Sequence, residues 1–327
     1  MFAVVLVGGF GTRLRPLTNN VPKPMLPIGN KPMIVRLAER LADGGITDIV
    51  LALGFRPDVF QGAFPGDVVK GNNGDVRLHY AVEPEPLDTA GAIRFAAEHV
   101  GITDTFVVAN GDIVTDLPIR LLVDEHERLG KEATLHLTPV VDPSSFGVVE
   151  VDAGGLVRRF VEKPAPGETT SNTINAGTYV LSASVLDRIP LGVPTSVERV
   201  TFPQLVDDSQ LSAVATNHSW IDTGRPEFYL EANLAYSGTP EAVLDSRVHE
   251  TAIIESSVIG SSEVAELAEL HRSVLLPGST IGRGARVNSS LVWGHVPAGT
   301  NLTNCVVGAG YAVPAGDHRD KKFPEPK

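Results

Sequence analysis

The first half of the chain alternates short apolar runs with amphipathic segments, and this alternation limits the folds available to it. Phe2–Val7 is a continuous apolar run, typical of a strand that is buried on both faces. Further strands are predicted at Ile49–Leu53, Thr105–Ala109, Ala133–Val140 and Leu211–Ser219, and helices at Lys31–Asp43, Ala90–His99 and Leu117–Leu129. This order predicts an α/β fold with a Rossmann-like, mostly parallel mixed sheet covered by helices. Val148–Asp152 and Leu156–Glu162 are predicted to add a hairpin to it.

The composition changes after about residue 238, where short β-branched units separated by Gly, Pro and Ser replace the helical periodicity. Apolar residues recur every six positions, at Val258, Val264, Leu270 and Leu276. A period of six predicts a short C-terminal left-handed parallel β-helix of hexapeptide repeats. Glutamates interrupt the pattern, so an irregular β-tail on the first domain is the alternative. We expect one domain at 1–238, a repeat domain at 245–316 and a flexible tail at 317–327.

Charge and cysteine content exclude several classes of protein. The 327 residues include 27 Lys and Arg against 39 Asp and Glu, and this net charge of −12 argues against nucleic-acid or anionic-membrane partners. Cys305 is the only cysteine, so an intrachain disulfide is excluded, and its spacing predicts that it faces the interior of the repeats. The N-terminus resembles a first strand more than a signal peptide, and no apolar run approaches ~18 residues. We therefore expect a cytoplasmic protein.

A glycine-rich segment, LVGGFGTRLRPLT, follows the first strand directly. Gly8, Gly9 and Gly11 let backbone N–H groups converge on an anion, and Arg13 adds a fork that matches phosphate oxygens. The segment lacks the Gly-Lys-Ser/Thr of P-loop NTPases and the third glycine of the dinucleotide-binding fingerprint. Lys23 stands between two prolines that limit the local backbone freedom. The two cations are therefore predicted to hold a triphosphate from two sides.

With the motifs that follow it, this segment resembles the sugar-1-phosphate nucleotidyltransferases, which make nucleoside-diphosphate sugars. Pro22-Lys23-Pro24 is followed in order by EPEPLDTAG at 83–91, NGD at 110–112, FGVV at 146–149, VEKP at 161–164, INAG at 174–177 and WIDTG at 220–224. The resemblance spans residues 1–236 and is closest to the mannose-1-phosphate guanylyltransferases. Their relatives often carry a C-terminal hexapeptide β-helix. The resemblance implies that residues 1–238 form a nucleotidyltransferase catalytic domain.

The implied reaction joins an NTP to a sugar-1-phosphate and releases pyrophosphate, through in-line attack of a sugar-phosphate oxygen on the α-phosphorus. The attacking phosphate is already an anion, so the enzyme must hold two anions together and neutralise charge rather than supply a base. By the resemblance, Arg13, Lys23 and Asp112 are catalytic. Asp112 and Asp222 would hold Mg²⁺, which favours carboxylate, phosphate and water oxygens. The implied nucleotide-binding residues are Leu6, Gly8, Gly9, Gly11, Thr12, Arg13, Lys23, Glu83, Glu85, Asp88 and Thr89.

The base is predicted from two acids in the segment that resembles the family's base-reading loop. Glu83 or Glu85 could accept the N1–H and the N2 amino group of guanine, a donor pair that adenine and uracil lack. This favours GTP. Asp88 departs from the pattern, because guanylyltransferase-like sequences commonly have glycine there and uridylyltransferases that act on N-acetylmuramate-1-phosphate have an acid.

The residues that would bind the sugar phosphate are implied by the resemblance alone. Lys163 would bind the phosphate of the sugar-1-phosphate, and Glu162 would accept ring hydroxyls. Gly147 would allow close approach of the sugar, and Asn175 would contact its hydroxyls. We expect a mannose-1-phosphate-like substrate. Glucose, heptose and N-acetylmuramate phosphates, and cyclitol phosphates such as valienol-1-phosphate, remain alternatives.

Two other classes of function fit the sequence less well. A non-catalytic subunit that binds NDP-sugar should have lost Arg13, Lys23 or a metal carboxylate, and all of these are present. A second, acyltransferase activity of the repeats would use His271 or His295 as a base, but about seventy degenerate residues favour a scaffold or dimer contact. We expect a homo-oligomer, with the C-terminal domain as the possible dimer contact.

Overall fold

The computed structural model describes residues 1–9, 11–54, 57–71 and 73–325. Its helices are α1 Met33–Asp43, α2 Pro57–Ala63, α3 Asp88–Val100, α4 Ile119–Leu129, α5 Phe202–Asp207 and α6 Pro226–Leu234. Its strands are β1 Phe2–Leu6, β2 Pro27–Ile28, β3 Lys31–Pro32, β4 Asp48–Leu53, β5 Val68–Lys70, β6 Asp75–Val82, β7 Phe106–Asn110, β8 Ile113–Thr115, β9 Ala133–Pro139, β10 Gly147–Val151, β11 Val157–Glu162, β12 Thr173–Leu181, β13 Leu211–Ala215, β14 Trp220–Asp222, β15 Val243–Leu244, β16 Arg247–Val248, β17 Ile253–Glu255, β18 Val258–Gly260, β19 Glu263–Val264, β20 Glu269–His271, β21 Val274–Leu275, β22 Thr280–Ile281, β23 Arg286–Asn288, β24 Leu291–Val296, β25 Asn301–Thr303, β26 Val306–Ala312, β27 Asp317–Arg319 and β28 Lys322–Phe323. None of the helices in these described ranges is both long and apolar enough to cross a membrane.

The chain forms two compact units. The first unit comprises Met1–Gly8 and Val35–Trp220, and the second comprises Gly9–Ile34 and Ile221–Lys327. The glycine-rich segment therefore changes unit at Gly9, immediately after the first strand has ended.

The first unit is built on one mixed sheet with the order β11-β10-β12-β7-β1-β4-β6-β5, and β9 joins β12 to β13. Strands β7, β1, β4 and β6 are parallel, and Leu6 at the end of β1 lies opposite Ala52 and Asn110. The chain extends from β1 toward β4 and β6 on one side and returns to β7 on the other. Ligands of such sheets bind outside the carboxyl ends of the strands at this switch point, which here lies between β1 and β7.

The predicted α/β alternation is confirmed, with two local corrections. The predicted hairpin forms, and Val148 pairs with Val161. Helix α1 begins at Met33 rather than Lys31, because Lys31 and Pro32 pair with Ile28 and Pro27 as a short hairpin. The strand predicted to reach Ser219 ends at Ala215. The core between the sheet and its helices is apolar, as the apolar runs in the sequence predict. It includes Val4, Val50, Phe106, Leu135 and Phe202.

The second unit is a stack of coils whose strands pair in parallel with those of the next coil. One vertical row pairs Val243 with Ile259, Ile259 with Leu275, Leu275 with Val292, Val292 with Val307, and Val307 with Phe323. The residues predicted from the period of six, Val258, Val264, Leu270 and Leu276, are all buried. The parallel repeat domain is therefore confirmed, and its left-handed course stays a prediction.

The glutamates that interrupt the repeat form ion pairs between neighbouring coils. Glu266 Oε1 lies 3.0 Å from Arg283 Nε, and Glu269 Oε2 lies 3.1 Å from Arg286 Nε. Glu263 pairs in the same way with Arg247. These charges lie on exposed or partly exposed side chains, so they do not disturb the apolar interior that the repeat specifies.

A ladder of small polar side chains fixes one corner of the coils. The Ser273 N–H donates to Ser257 Oγ at 3.1 Å, and the Ser290 N–H donates to Ser273 Oγ at 3.2 Å. The Cys305 N–H donates to Ser290 Oγ at 3.0 Å, so the single cysteine takes the next position of the ladder. Cys305 is buried, as its spacing predicts.

Two expected boundaries differ from the structure. Residues 9–34 and 221–238 belong to the same unit as the coils, because Asn30 Nδ2 donates to Glu241 O and Ile259 O and the Gly29 N–H donates to Asn233 Oδ1. The flexible tail predicted from residue 317 is corrected, since β27 pairs with β25 and β28 pairs with β26. Pro326 and Lys327, the end of that predicted tail, lie outside the described residues.

Candidate active site

In the second unit, the glycine-rich segment makes a tight turn that only glycine can form without strain. Gly11 has φ +58°, and a Cβ there would lie 3.1 Å from Thr18 Cγ2 and 3.3 Å from Lys23 Cβ. Thr18 Oγ1 donates to Gly11 O at 2.7 Å and holds the turn closed. The turn therefore sets the positions of the short helical turn at Thr12–Leu14, which carries Arg13, and of Lys23.

Lys23 and Arg13, the two cations predicted to bind the triphosphate, lie close to Asp222, the predicted metal ligand. Lys23 is 5% exposed, and its Nζ lies 3.4 Å from Asp222 Oδ1. The same oxygen accepts the Gly224 N–H at 2.8 Å. A Cβ on Gly224 would lie 2.7 Å from Arg13 Nη2 and 3.0 Å from Asp222 Oδ1. The guanidinium, the buried ammonium and the carboxylate thus share one small region.

The proline-flanked lysine is held by its own backbone turn. The Met25 N–H donates to Pro22 O at 2.9 Å, and the Leu26 N–H donates to Lys23 O at 3.0 Å. Lys322 Nζ, from the last coil, donates to the carbonyl of Arg13 at 3.1 Å. Both cationic residues are therefore fixed through their main chains, and Arg13 keeps its side chain exposed.

In the first unit, several predicted residues gather at the carboxyl ends of the parallel strands. The Gly111 N–H donates to Leu6 O at 2.9 Å, which joins the end of β1 to the turn that carries Asp112. The Glu83 N–H donates to Leu53 O at 2.9 Å, so the segment predicted to read the base starts at the same edge of the sheet. A Cβ on Gly8 would lie 3.8 Å from Gly54 N, so the backbones that follow β1 and β4 pass close to each other at this edge.

The structure gives the four residues of the predicted base-reading segment different surroundings. Glu83 Oε2 accepts the Leu87 N–H at 3.0 Å; burial raises the pKa of Glu83, and this hydrogen bond opposes the shift. Glu85 and Asp88 are exposed. Thr89 Oγ1 donates to Glu198 Oε2 at 2.8 Å and accepts the Val197 N–H at 2.8 Å. Thr89 therefore ties the start of α3 to a later segment of the chain.

Three of the four residues predicted to bind the sugar phosphate lie on strands of the first unit, Gly147 on β10, Glu162 on β11 and Asn175 on β12, and Lys163 directly follows β11. Gly147 pairs with Glu162, and a Cβ on Gly147 would lie 2.7 Å from Phe160 Cζ and 2.9 Å from Glu162 Oε2. Lys163 Nζ lies 3.5 Å from Glu162 Oε1, and its side chain is largely exposed. Any larger residue at position 147 would displace the Glu162 carboxylate.

Asn175 contacts a buried tyrosine that the sequence did not single out. Asn175 Nδ2 donates to Tyr179 Oη at 3.0 Å, and its Oδ1 accepts the Gly177 N–H at 3.1 Å, which fixes the amide. Tyr179 is 1% exposed. Burial raises the pKa of Tyr179, and the charges of Glu198, Glu162 and Asp112 raise it further. The Tyr179 hydroxyl therefore stays protonated, and the Asn175 amide is its hydrogen-bond partner.

Tyr179 and Glu198 contact predicted site residues, Asn175 and Thr89, but sequence reasoning did not single them out. Tyr179 carried a weak signal, as a phenol in an otherwise aliphatic run two residues after INAG. Glu198 carried none, because a glutamate near a helical turn is typical of any surface.

A divalent metal bound beside Asp222 would have few protein ligands. In the described ranges of the chain, no three His, Cys, Asp or Glu side chains cluster as a metal site. The Asp222 carboxylate is 23% exposed and lies beside the two cations. A hard ion bound to such a carboxylate takes its remaining ligands from phosphate and water oxygens, so this donor chemistry fits Mg²⁺.

Together these features define an α/β protein with a glycine turn beside two cationic side chains and a C-terminal stack of parallel coils. The family model described as "Nucleotidyl transferase" matches residues 2–238. The chain belongs to the nucleotidyl transferase family.

Two relatives illustrate the extent of the similarity. The chain is 45% identical over 239 residues to a mannose-1-phosphate guanyltransferase of Aspergillus fumigatus, a match that covers 72% of this chain and 64% of that protein. It is 39% identical over 318 residues to a mannose-1-phosphate guanyltransferase of Gibberella zeae, which covers 89% of this chain and 86% of that protein.

Two solved structures are also similar. HddC from Yersinia pseudotuberculosis, solved in complex with GMP-PN, matches with a TM-score of 0.59 at 30% identity, over 72% of this chain and 99% of that one. A putative glucose-1-phosphate thymidylyltransferase from Bacillus anthracis matches with a TM-score of 0.63 at 26% identity, over 72% of this chain and 95% of that one.

Proposed function

We propose that this chain transfers a guanylyl group from GTP to a mannose-1-phosphate-like sugar phosphate and releases pyrophosphate. The observation that carries the proposal is the meeting of Arg13, the buried Lys23 and Asp222 beside the glycine turn. The names of the fungal relatives support the substrate class, and the GMP-PN complex of HddC supports the guanine nucleotide.

The proposed step needs charge neutralisation rather than a base. An oxygen of the sugar phosphate forms a bond to the α-phosphorus of GTP, the bond from that phosphorus to the bridging oxygen of the β-phosphate breaks, and pyrophosphate leaves with the electron pair. Arg13 and Lys23 would bind the triphosphate and stabilise the charge that grows on the leaving group. Lys23 suits this role because a desolvated ammonium interacts strongly with phosphate.

The other predicted residues would bind and orient the two substrates. Leu6, Gly8, Gly9, Gly11 and Thr12 would line the nucleotide with backbone groups, and Glu83 or Glu85 would accept the two guanine donors. Lys163 would bind the sugar phosphate, while Glu162 and Asn175 would contact ring hydroxyls across Gly147. Asp88 is exposed at the start of α3, and Thr89 would hold this segment in place through its bonds to Val197 and Glu198.

Mg²⁺ is the proposed cofactor, with Asp112 and Asp222 as its protein ligands. When bound it would screen the charges of the triphosphate and polarise its oxygens. Asp222 would also keep Lys23 oriented toward the same phosphates.

A matrix of substrates tests this function. The full chain is given each of ATP, GTP, CTP and UTP against a panel of sugar and cyclitol 1-phosphates, with Mg²⁺ or with EDTA, and pyrophosphate release is measured. We expect the highest rate with GTP, mannose 1-phosphate and Mg²⁺. No release with any pair, or release that EDTA leaves unchanged, would contradict the proposal.

We also propose that the chain forms a homo-oligomer through its first coil. β15, β16 and β17 are edge strands of their sheets, and Val243, Leu244 and Ile253 on them are exposed. Exposed apolar edge strands favour pairing with another chain. Light scattering after gel filtration should give a dimer or larger assembly, and Leu244→Glu with Ile253→Glu should shift it toward monomer; a wild-type monomer would contradict this.

A further inference from the structure

The short helical turn that carries Arg13 leaves one of its carbonyl groups without a backbone donor. The Leu14 N–H donates to Gly11 O at 3.0 Å. The Arg15 N–H donates to Thr12 O at 3.2 Å in the same way. The next N–H of this series would belong to residue 16, which is a proline and has none. A donor for the Arg13 carbonyl must therefore come from outside the turn.

Lys322 supplies that donor from the last coil. Its Nζ donates to Arg13 O at 3.1 Å, across 309 positions of the sequence. Lys322 is itself fixed, because it pairs with Val306 of β26 and the next residue, Phe323, is buried in the interior of the coils. Among the residues that the structure describes, no Asp or Glu forms an ion pair with Lys322. Its ammonium is therefore not drawn away from the carbonyl by an acid of this chain.

A second contact holds the same segment against the coils. Gly308 lies in β26, and a Cβ on it would lie 2.9 Å from Pro16 Cβ and 3.1 Å from Pro16 Cγ. The backbone of β26 can approach the proline this closely because position 308 has no side chain. β26 and β28 pair with each other, so the last coils contact the segment at two points, Arg13 and Pro16.

The place of the Arg13 guanidinium depends on this main chain. The side chain is exposed, so packing does not restrict it. Its Nη2 lies next to Gly224, where a Cβ would be 2.7 Å away, and a rotation of the Arg13 peptide would move it from that place. Stabilisation of a leaving group depends on the position of the donor groups, and a displacement of about 1 Å can lower a rate by up to about 100-fold.

We propose that Lys322 is a positioning residue for nucleotidyl transfer: through its hydrogen bond to the Arg13 carbonyl, the last coil holds the guanidinium toward the triphosphate. The inference rests on the proposed function, because Arg13 is a phosphate ligand only in that reaction. It gives the end of the chain a part in GTP binding, whereas the family model matches residues 2–238.

Three substitutions separate the hydrogen bond from the charge. Lys322→Met keeps the length of the side chain and removes the donor, and should lower kcat/KM for GTP roughly tenfold. KM for mannose 1-phosphate and the thermal midpoint should change little, since the lost bond is exposed and does not involve the sugar phosphate. Lys322→Arg keeps a donor and should stay within about twofold of wild type. Lys321→Met is the matched control: it removes the same charge from the exposed neighbour and should leave kcat/KM unchanged.

A double-mutant cycle shows whether Lys322 acts through Arg13. The dissociation constant of GTP with Mg²⁺ is measured by isothermal titration calorimetry without sugar phosphate, so that the result does not depend on turnover. Lys322→Met should raise this constant roughly fivefold in otherwise wild-type protein. In Arg13→Gln, where no guanidinium is left to position, it should raise it by less than about twofold. An equal rise in both backgrounds, or none in the first, would overturn the inference.

Three kinetic results would refute it as well: wild-type kcat/KM in folded Lys322→Met, the same loss in Lys321→Met, or no recovery in Lys322→Arg. If Lys322→Met does not fold, Gly308→Ala tests the second contact. Its Cβ should displace Pro16 and lower kcat/KM for GTP without a change in KM for mannose 1-phosphate, and unchanged kinetics would count against the inference. No pyrophosphate release by wild type with any pair of substrates would contradict the proposed function itself.

Discussion

At the scale of single residues, the absence of a side chain at Gly224 allows the Arg13 guanidinium to lie close to the Asp222 carboxylate. Its backbone N–H binds Asp222 Oδ1, and the space where a side chain would begin is occupied by the Arg13 guanidinium. The Arg13 side chain is exposed and could move aside, but this movement would change the position of the guanidinium that is proposed to bind phosphate.

Gly224→Ala should lower kcat/KM for GTP by roughly tenfold to 100-fold, because the new methyl group displaces the guanidinium by about 1 Å or more. The unfolding midpoint should change little, since the displaced group is the end of an exposed side chain. The control is Gly62→Ala in α2, where a Cβ would meet no atom within 4 Å. Initial rates and thermal melts measure both, and full activity of Gly224→Ala would show that Arg13 is not positioned through this glycine.

Residue chemistry made part of the site predictable. Arg13 and Lys23 could be inferred because a cation between prolines or after a glycine turn has few structural uses. The contacts of Tyr179 and Glu198 could not be predicted, because a tyrosine in a strand is typical of any core and Glu198 contacts Thr89 at a separation of 109 residues.

At the scale of elements, β9 has one apolar and one polar face. Leu135 and Leu137 belong to the core, whereas His136 points to the other side, where its Nε2 lies 2.8 Å from Thr216 Oγ1. His136 is fully buried, and burial lowers its pKa to about 4, with further lowering by the charges of Arg40 and His218. The strand therefore carries a neutral imidazole that resists protonation.

This histidine should make stability depend on pH. The unfolded imidazole binds a proton below about pH 6.5 and the folded one only near pH 4, so stability is complete above pH 6.5 and falls as the pH drops toward 4. The expected loss from His136 between pH 7 and pH 5 is about 2 kcal/mol. Urea unfolding at both pH values checks it: His136→Gln should lose less stability than wild type over this interval, and equal losses would contradict the assignment.

The serine ladder of the coils gives a prediction at the same scale. Ser290→Ala removes the acceptor of the buried Cys305 N–H and should lower the free energy of unfolding by about 1–3 kcal/mol. Ser289→Ala is the matched control, because the neighbouring Ser289 hydroxyl donates to Asn288 Oδ1 in an exposed position. Chemical denaturation of the two variants measures the difference, and equal stability would mean that the ladder contributes nothing.

Elements with a clear period of apolar residues could be predicted from the sequence. Strands that form only because a partner strand is present could not. The six-residue repeat specifies buried positions directly, so Val264 and Leu270 were identified from sequence. The β2–β3 hairpin and the strands after residue 317 have no apolar period of their own, and they form because a partner strand is present.

At the scale of the whole molecule, the chain order does not follow the compact units. The glycine turn, Lys23 and Asp222 belong with the coils although their sequence motifs match a single family domain at residues 2–238. Sequence composition marks the change near residue 238 but carries no sign of the bonds from Asn30 to Ile259 and Glu241. The coils therefore support the segment that carries the cations.

The Mg²⁺ dependence of pyrophosphate release should show whether Asp222 is a ligand of the metal. EDTA should abolish pyrophosphate release, and Mg²⁺ should restore it, if two carboxylates hold the ion between protein and phosphate. Asp222→Asn should raise the Mg²⁺ concentration at half-maximal rate by roughly tenfold, because a neutral amide binds a hard cation less strongly. An unchanged Mg²⁺ midpoint in this variant would remove Asp222 from the set of ligands.

The most direct test of the central claim is the rate of pyrophosphate release by Lys23→Gln with GTP, mannose 1-phosphate and Mg²⁺. The buried ammonium is proposed to stabilise the leaving pyrophosphate, so kcat/KM should fall by on the order of 100-fold or more while the protein stays folded by circular dichroism. A folded Lys23→Gln with the wild-type rate would contradict the claim that the cations beside the glycine turn carry out nucleotidyl transfer.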